Sequence, residues 1–73
     1  MSAQASTKAI VVSRWVGPLD QRIVLESIKN RLRKESHAVK NHYGGYKVRF
    51  SKQASFDLEA NGRMTATWPF AVE

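Results

Sequence analysis

The chain contains no cysteine, which excludes a disulfide framework, a thiolate nucleophile and any cysteine-based metal site. Long apolar runs are also missing. The longest near the start, residues 9–12, is far below the roughly 20 residues that span a bilayer and too short for the apolar part of a secretory signal. A soluble cytoplasmic protein is therefore expected, with no membrane partner. Acid is scarce where base is dense. Within residues 29–52, eight lysines and arginines stand against one acid, Glu35, giving +7 where the whole chain carries +6. Charge concentrated in this way marks a surface suited to an acidic partner, whereas evenly spread charge only aids solubility.

The 73 residues allow one domain with one small core, burying about 60–65% of the unfolded surface. Residues 1–7 are small and polar and read as a disordered arm. Residues 8–16 are rich in β-branched side chains and read as a strand. Both faces of that strand carry apolar groups, Ile10 and Val12 on one and Val11 and Trp15 on the other, as in a strand with neighbours or a partner on each face. Gly17-Pro18 stops it, and Pro18 suits a first helical turn.

Residues 19–42 then read as one helix, with Asp20 at the positive end of its dipole and Lys40 and His42 at the negative end. At about 100° per residue, Val24, Leu25, Ile28, Leu32 and Val39 share one arc, with Glu35 intruding on it. Ser36-His37 is a possible break, and Gly44-Gly45 supplies a left-handed stop.

Three short strands follow. Tyr46, Val48 and Phe50 alternate with Lys47, Arg49 and Ser51. Phe56 and Leu58 alternate with Ser55, Asp57 and Glu59. Met64, Ala66 and Trp68 alternate with Arg63, Thr65 and Thr67. Such alternation is the mark of a half-buried strand.

The Asn61-Gly62 connection discriminates between two hairpins. A two-residue turn pairing Ala60 with Arg63 would put Phe56 and Leu58 on the same face as Thr65 and Thr67. A three-residue loop with Gly62 in the left-handed region pairs Glu59 with Arg63 and Leu58 with Met64, and keeps the apolar faces together. The bulged hairpin is the better expectation. Pro69 is expected to end the last strand, leaving a globular domain over residues 8–70 and a tail over 71–73. The predicted fold is α+β, a single small domain of order β-α-β-β-β, an antiparallel meander with one long helix packed on one face. No internal repeat or low-complexity segment interrupts it.

Candidate functional residues are mostly cationic. On the helical wheel Arg22, Lys29, Arg33 and Lys40 lie within about 20° of one line, about 27 Å long. Such a row can track phosphates or dock on an acidic protein groove, although any amphipathic helix also has a polar face. Lys47 and Arg49 point to the other side of their strand, implying two cationic surfaces rather than one patch. Trp15, near a strand end beside Arg14, is either core or a binding anchor, while Trp68 alternates with core residues. Residues 45–50 alternate aromatic and basic side chains as the RNA-stacking strand of an RNA recognition motif does. The glycine–aromatic spacing is off by one and the second helix of that fold is lacking, so Tyr46 and Phe50 read as core.

Catalytic constellations are not found. His37 and His42, five residues apart on a helix, point about 140° apart and gain no further ligands, so neither a metal site nor a cofactor is expected. Asp57 and Glu59 are about 7 Å apart on an exposed hairpin, without the burial that poises an acid for catalysis. The serines lack a nucleophile elbow, and Gly44-Gly45 is not followed by the lysine and hydroxyl of a phosphate loop.

The absence of cysteine, the basic charge, the opening MSAQASTKAIVVSRW and the single helix with a small sheet together resemble the small RNA polymerase-binding transcription regulators of lytic Xanthomonas phages. The resemblance covers the full length but rests on no diagnostic motif, so it carries over no individual residue. It implies a non-enzymatic protein of the host bacterial cytoplasm that binds the large subunits of host RNA polymerase near the RNA exit channel, and a monomer is expected. It implies interference with σ-dependent initiation and promotion of antitermination. The alternative is direct binding to the phosphates of nascent RNA or DNA through the helix row.

Overall fold

The computed structural model describes residues 8–18 and 20–73. The arm predicted over residues 1–7 and the helix start predicted at Leu19 lie outside the described residues. The described elements are β1 (Lys8–Trp15), α1 (Gln21–His42), β2 (Val48–Phe50), β3 (Ser55–Leu58) and β4 (Arg63–Val72). The order β-α-β-β-β and the antiparallel pairing follow the expectation. The connectivity does not, because the last three strands do not form a meander. β4 is central, with β1 on one edge, while β2 and β3 lie end to end along its other edge and do not pair with each other.

This arrangement explains how a proline sits in a central strand. Pro69 does not end β4, which continues to Val72, so Ala71 and Val72 pair with Arg49 and Val48 instead of forming a tail. The carbonyl of Pro69 accepts from the Ser51 N–H at 2.9 Å. Within a strand the N–H and C=O of one residue face the same edge, so the N–H that Pro69 lacks would also point there. At that level β3 has finished pairing at Thr67 and β2 begins at Phe70. The missing donor falls opposite Ser51, at the end of the β2 ladder, and the Ser51 carbonyl it would have met accepts from Trp68 Nε1 at 2.7 Å instead.

The helix begins at Gln21, because Asp20 acts as its N-cap and accepts the Arg22 N–H at 2.9 Å. Pro18 lies in the preceding turn, outside the helix. Ser36-His37 introduces no break. The Ser36 hydroxyl donates to the Arg33 carbonyl at 2.7 Å, which satisfies it locally and lets it sit buried on the core seam. Glu35 is displaced from the seam and accepts from Arg31 Nε at 3.0 Å. After the helix, Gly45 takes a φ of +96° and the Tyr46 N–H donates to the Tyr43 carbonyl. That reversal consumes Tyr46, which is exposed and not part of β2, contrary to its expected core position.

Register places Ile10, Val12, Met64, Ala66, Trp68, Phe70, Phe50, Phe56 and Leu58 on the same sheet face. The helix lays Val24, Ile28 and Leu32 on that face, and Ile28 is fully buried. Coverage is uneven. The helix packs chiefly against β1, so β3 is left at the open side. Phe56 and Leu58, expected in the core, are 37% and 49% exposed.

The β3–β4 hairpin has the bulged geometry. Leu58 pairs with Met64, the Glu59 N–H donates to the Arg63 carbonyl at 2.8 Å, and Gly62 has a φ of +88°. Trp15 is 59% exposed, on the sheet face away from the helix, with its ring against Gly17 and Gly62. A Cβ on Gly17 would stand 2.9 Å from Trp15 Nε1, and Gly17 itself has a φ of +54°.

Ile28→Ala is expected to cost about 2–5 kcal/mol, enough to unfold much of so small a domain in urea titrations. Gly62→Ala forces a left-handed alanine and should cost about 1–2 kcal/mol by the same measurement.

Candidate functional site

The cations of α1 are placed by one unbroken helix, so Lys29, Arg33 and Lys40 do form a line. The sheet decides which way that line faces. Lys29 and Arg33 border a groove of about 680 Å³ between α1 and the β2–β3 connection, together with Lys52 on the opposite bank. Leu32, Ala54, Phe56 and Trp68 line the same groove. This is the part of the inner sheet face that the helix leaves uncovered. Lys40 extends the line beyond the groove, its Nζ 5.7 Å from the centre of the Phe50 ring, within cation–π reach. Arg22 stands at the other end beside the Asp20 carboxylate at 3.8 Å.

The groove holds its shape through its aromatic residues. Trp68 and Phe50 pack with centroids 4.8 Å apart, and Phe50 in turn meets Phe70 at 5.4 Å. Trp68 Nε1 donates to the Ser51 carbonyl at 2.7 Å, which ties the β2–β3 connection to β4 and positions the neighbouring Lys52. Charge on the rim is only lightly compensated. Lys29 is 3.8 Å from Glu26, Arg33 donates to the Asn30 side chain, and Lys52 has no acidic partner among the described residues. Exposed pairs of this kind contribute about 0–1 kcal/mol and release their cations readily to a partner.

Comparison with family models, with curated protein sequences and with solved structures finds no match for the chain. The site is therefore read from its own chemistry.

The remaining candidate residues lie elsewhere. Arg49 is paired opposite Ala71 on the sheet face away from the helix, 3.4 Å from Glu73. Lys47 precedes β2, and its carbonyl accepts the Glu73 N–H. Neither joins the groove, in keeping with two separate cationic surfaces. Trp15 is likewise on that outer face. His37 and His42 are both exposed, and the described residues contain no group of three potential metal ligands.

Sequence patterning missed Lys52, Phe56 and Trp68 as parts of one site. Lys52 falls in a loop with no periodicity to orient it. The two aromatics alternate with polar residues and so read as core. What leaves Phe56 exposed and Trp68 half-buried is the helix position, which no local pattern encodes.

Single substitutions Lys29→Ala, Arg33→Ala and Lys52→Ala should each change stability by less than about 0.5 kcal/mol. Trp68→Ala removes both packing and the bond to Ser51, and should cost about 2–4 kcal/mol in the same urea titration.

Proposed function

We propose that this protein is a small non-enzymatic regulator of transcription that binds the large subunits of a host RNA polymerase. In this reading it inhibits σ-dependent initiation and promotes antitermination. The observation that carries the reading is the groove, in which Lys29, Arg33 and Lys52 surround a floor that includes Phe56 and Trp68. A half-exposed apolar floor inside a cationic rim suits a protein partner that offers an apolar side chain flanked by carboxylates. The floor supplies a contact that excludes water, and the rim supplies steering and orientation.

Mechanism on this reading requires no reacting group. A domain this small, seated on a polymerase surface, acts by occupying the site that a σ factor or an RNA hairpin needs. Long-range attraction of a +6 chain to acidic protein surface raises the encounter rate. The groove then fixes the pose, and Lys40 and Arg22 extend the contact along α1.

The same groove favours one second reading, direct binding of single-stranded nucleic acid. Bases can stack on an exposed aromatic such as Phe56 while phosphates meet the three cations.

An affinity pull-down from host lysate, with and without nuclease, separates the two. Polymerase subunits should remain bound after nuclease treatment, and the combined Lys29→Glu, Arg33→Glu and Lys52→Glu variant should reduce capture about tenfold or more. Capture that disappears with nuclease would reject the protein-partner reading. Nucleic-acid binding through the groove should then appear in titrations as a slope of log K against log salt of about −2, for three single-strand phosphate contacts.

A further inference from the structure

We propose that the free edge of β1 is a second docking site, which accepts an extended acidic segment of a partner protein as an added antiparallel or parallel strand. The site is distinct from the groove and does not depend on the polymerase reading.

Among the described residues β1 pairs only with β4, and it carries eight residues without proline or bulge. Its register fixes which backbone groups are satisfied. Ile10 pairs with Trp68 and Val12 with Ala66, and just beyond the strand the Val16 N–H donates to the Gly62 carbonyl. The Pro69 and Thr67 carbonyls face the opposite edge of β4, towards β2 and β3. The even-numbered residues of β1 therefore bond to β4. The N–H and C=O groups of Ala9, Val11, Ser13 and Trp15 point away from the sheet, where no described strand meets them. Native edge strands of this length are usually shortened, bulged or covered, and an open one is a template for strand addition.

The surroundings define what such a strand must carry. Alongside the edge runs a hollow of about 610 Å³ lined by residues 9–14 of β1 and by Arg31, Glu35, Val39 and Phe70. On the inner face lie Lys8 and Arg14, with Arg31 on the helix above. Glu35, the acid lining this hollow, is already held by Arg31 at 3.0 Å. On the outer face Val11 is 61% exposed, and Trp15 lies on the same side. The complementary strand thus carries carboxylates inward against Lys8 and Arg14, whose charges no described acid compensates, and apolar residues outward beside Val11 and Trp15.

Charge disfavours the simplest competing occupant, a second copy of this chain. A two-fold pairing centred on Val11 would oppose Lys8 of one copy to Arg14 of the other, and each copy carries +6. Like charges directly opposed destabilise a ladder.

The probe is a ten-residue peptide in which glutamate alternates with valine and threonine, added to the full chain and followed by amide hydrogen exchange in nuclear magnetic resonance. Binding should slow exchange at alternate β1 amides, Val11 and Ser13 among them, while those of Ile10 and Val12 are already protected. Val11→Pro, which deletes a free-edge donor and blocks approach, should weaken binding about tenfold or more, and Lys29→Ala with Arg33→Ala should leave it unchanged. Should the proline variant fail to fold, N-methylation at Val11 in synthetic protein removes the same donor. Absence of edge protection at millimolar peptide would overturn the proposal. So would equal binding of a lysine-for-glutamate peptide, undiminished binding after N-methylation, or edge protection that rises with protein concentration alone, the sign of self-pairing.

Discussion

Among the described residues β4 is the strand to which every other strand hydrogen-bonds, and none of the others bonds to anything else in the sheet. Ten residues, about 33 Å long, serve β1 on one edge and both β2 and β3 on the other. That division puts Pro69 at the end of the β2 ladder, opposite Ser51, where another donor can stand in for the N–H it lacks. A proline at Thr67 or Ala71 would have interrupted a ladder already formed with β3 or β2. The Ser51 N–H on the Pro69 carbonyl and the Trp68 indole on the Ser51 carbonyl close that end of the ladder from the loop side. The position of Lys52 follows from that closure.

A second consequence is a mismatch of widths. A single helix covers a stripe about 10 Å wide, whereas three strand positions side by side make an apolar face wider than that. Val24, Ile28 and Leu32 place the helix over the β1 side, where Ile10 and Val16 complete the core. β3 is left partly open, and the groove is the uncovered remainder. The two flanks of α1 then differ in kind. One carries Lys29 and Arg33 beside the exposed Phe56 and the half-buried Trp68, and the other carries the Arg31–Glu35 pair beside an open strand edge. The outer face of the sheet is different again. Ser13 donates to the Thr65 hydroxyl, which donates to Glu59 at 3.1 Å, a polar chain from β1 across β4 to the β3–β4 loop, suited to water.

Much of the local structure was legible because it depends on neighbours in sequence. The acid Asp20 at the positive end of the helix, the helix as far as His42, and the left-handed Gly62 in a three-residue loop all follow from backbone chemistry within a few residues, although Asp20 caps the helix from outside where the sequence placed it inside. The hairpin register was also legible, because a slip by one residue would have put Thr65 and Thr67 against Phe56 and Leu58. The helix row of Lys29, Arg33 and Lys40 was readable from a period of 3.6 residues. Tyr46 was misplaced because the turn after α1 takes one more residue than the glycine pair suggested. Pro69 was misplaced because proline ends a strand only where its donor is needed.

Composition and short-range pattern were enough for the element order, the two-sided apolar character of β1, the concentration of charge between residues 29 and 52, and the lack of cysteine. All of these are properties of composition and short-range periodicity. Only the tertiary structure decided that β2 and β3 share one edge of β4, that Lys52 joins the helix row while Arg49 does not, and that Phe56 is exposed beside Trp68. Those outcomes depend on which strands pair and on where a helix settles across a sheet wider than itself. Strand pairing and helix placement are set by contacts between residues far apart in the chain, and no local pattern records them.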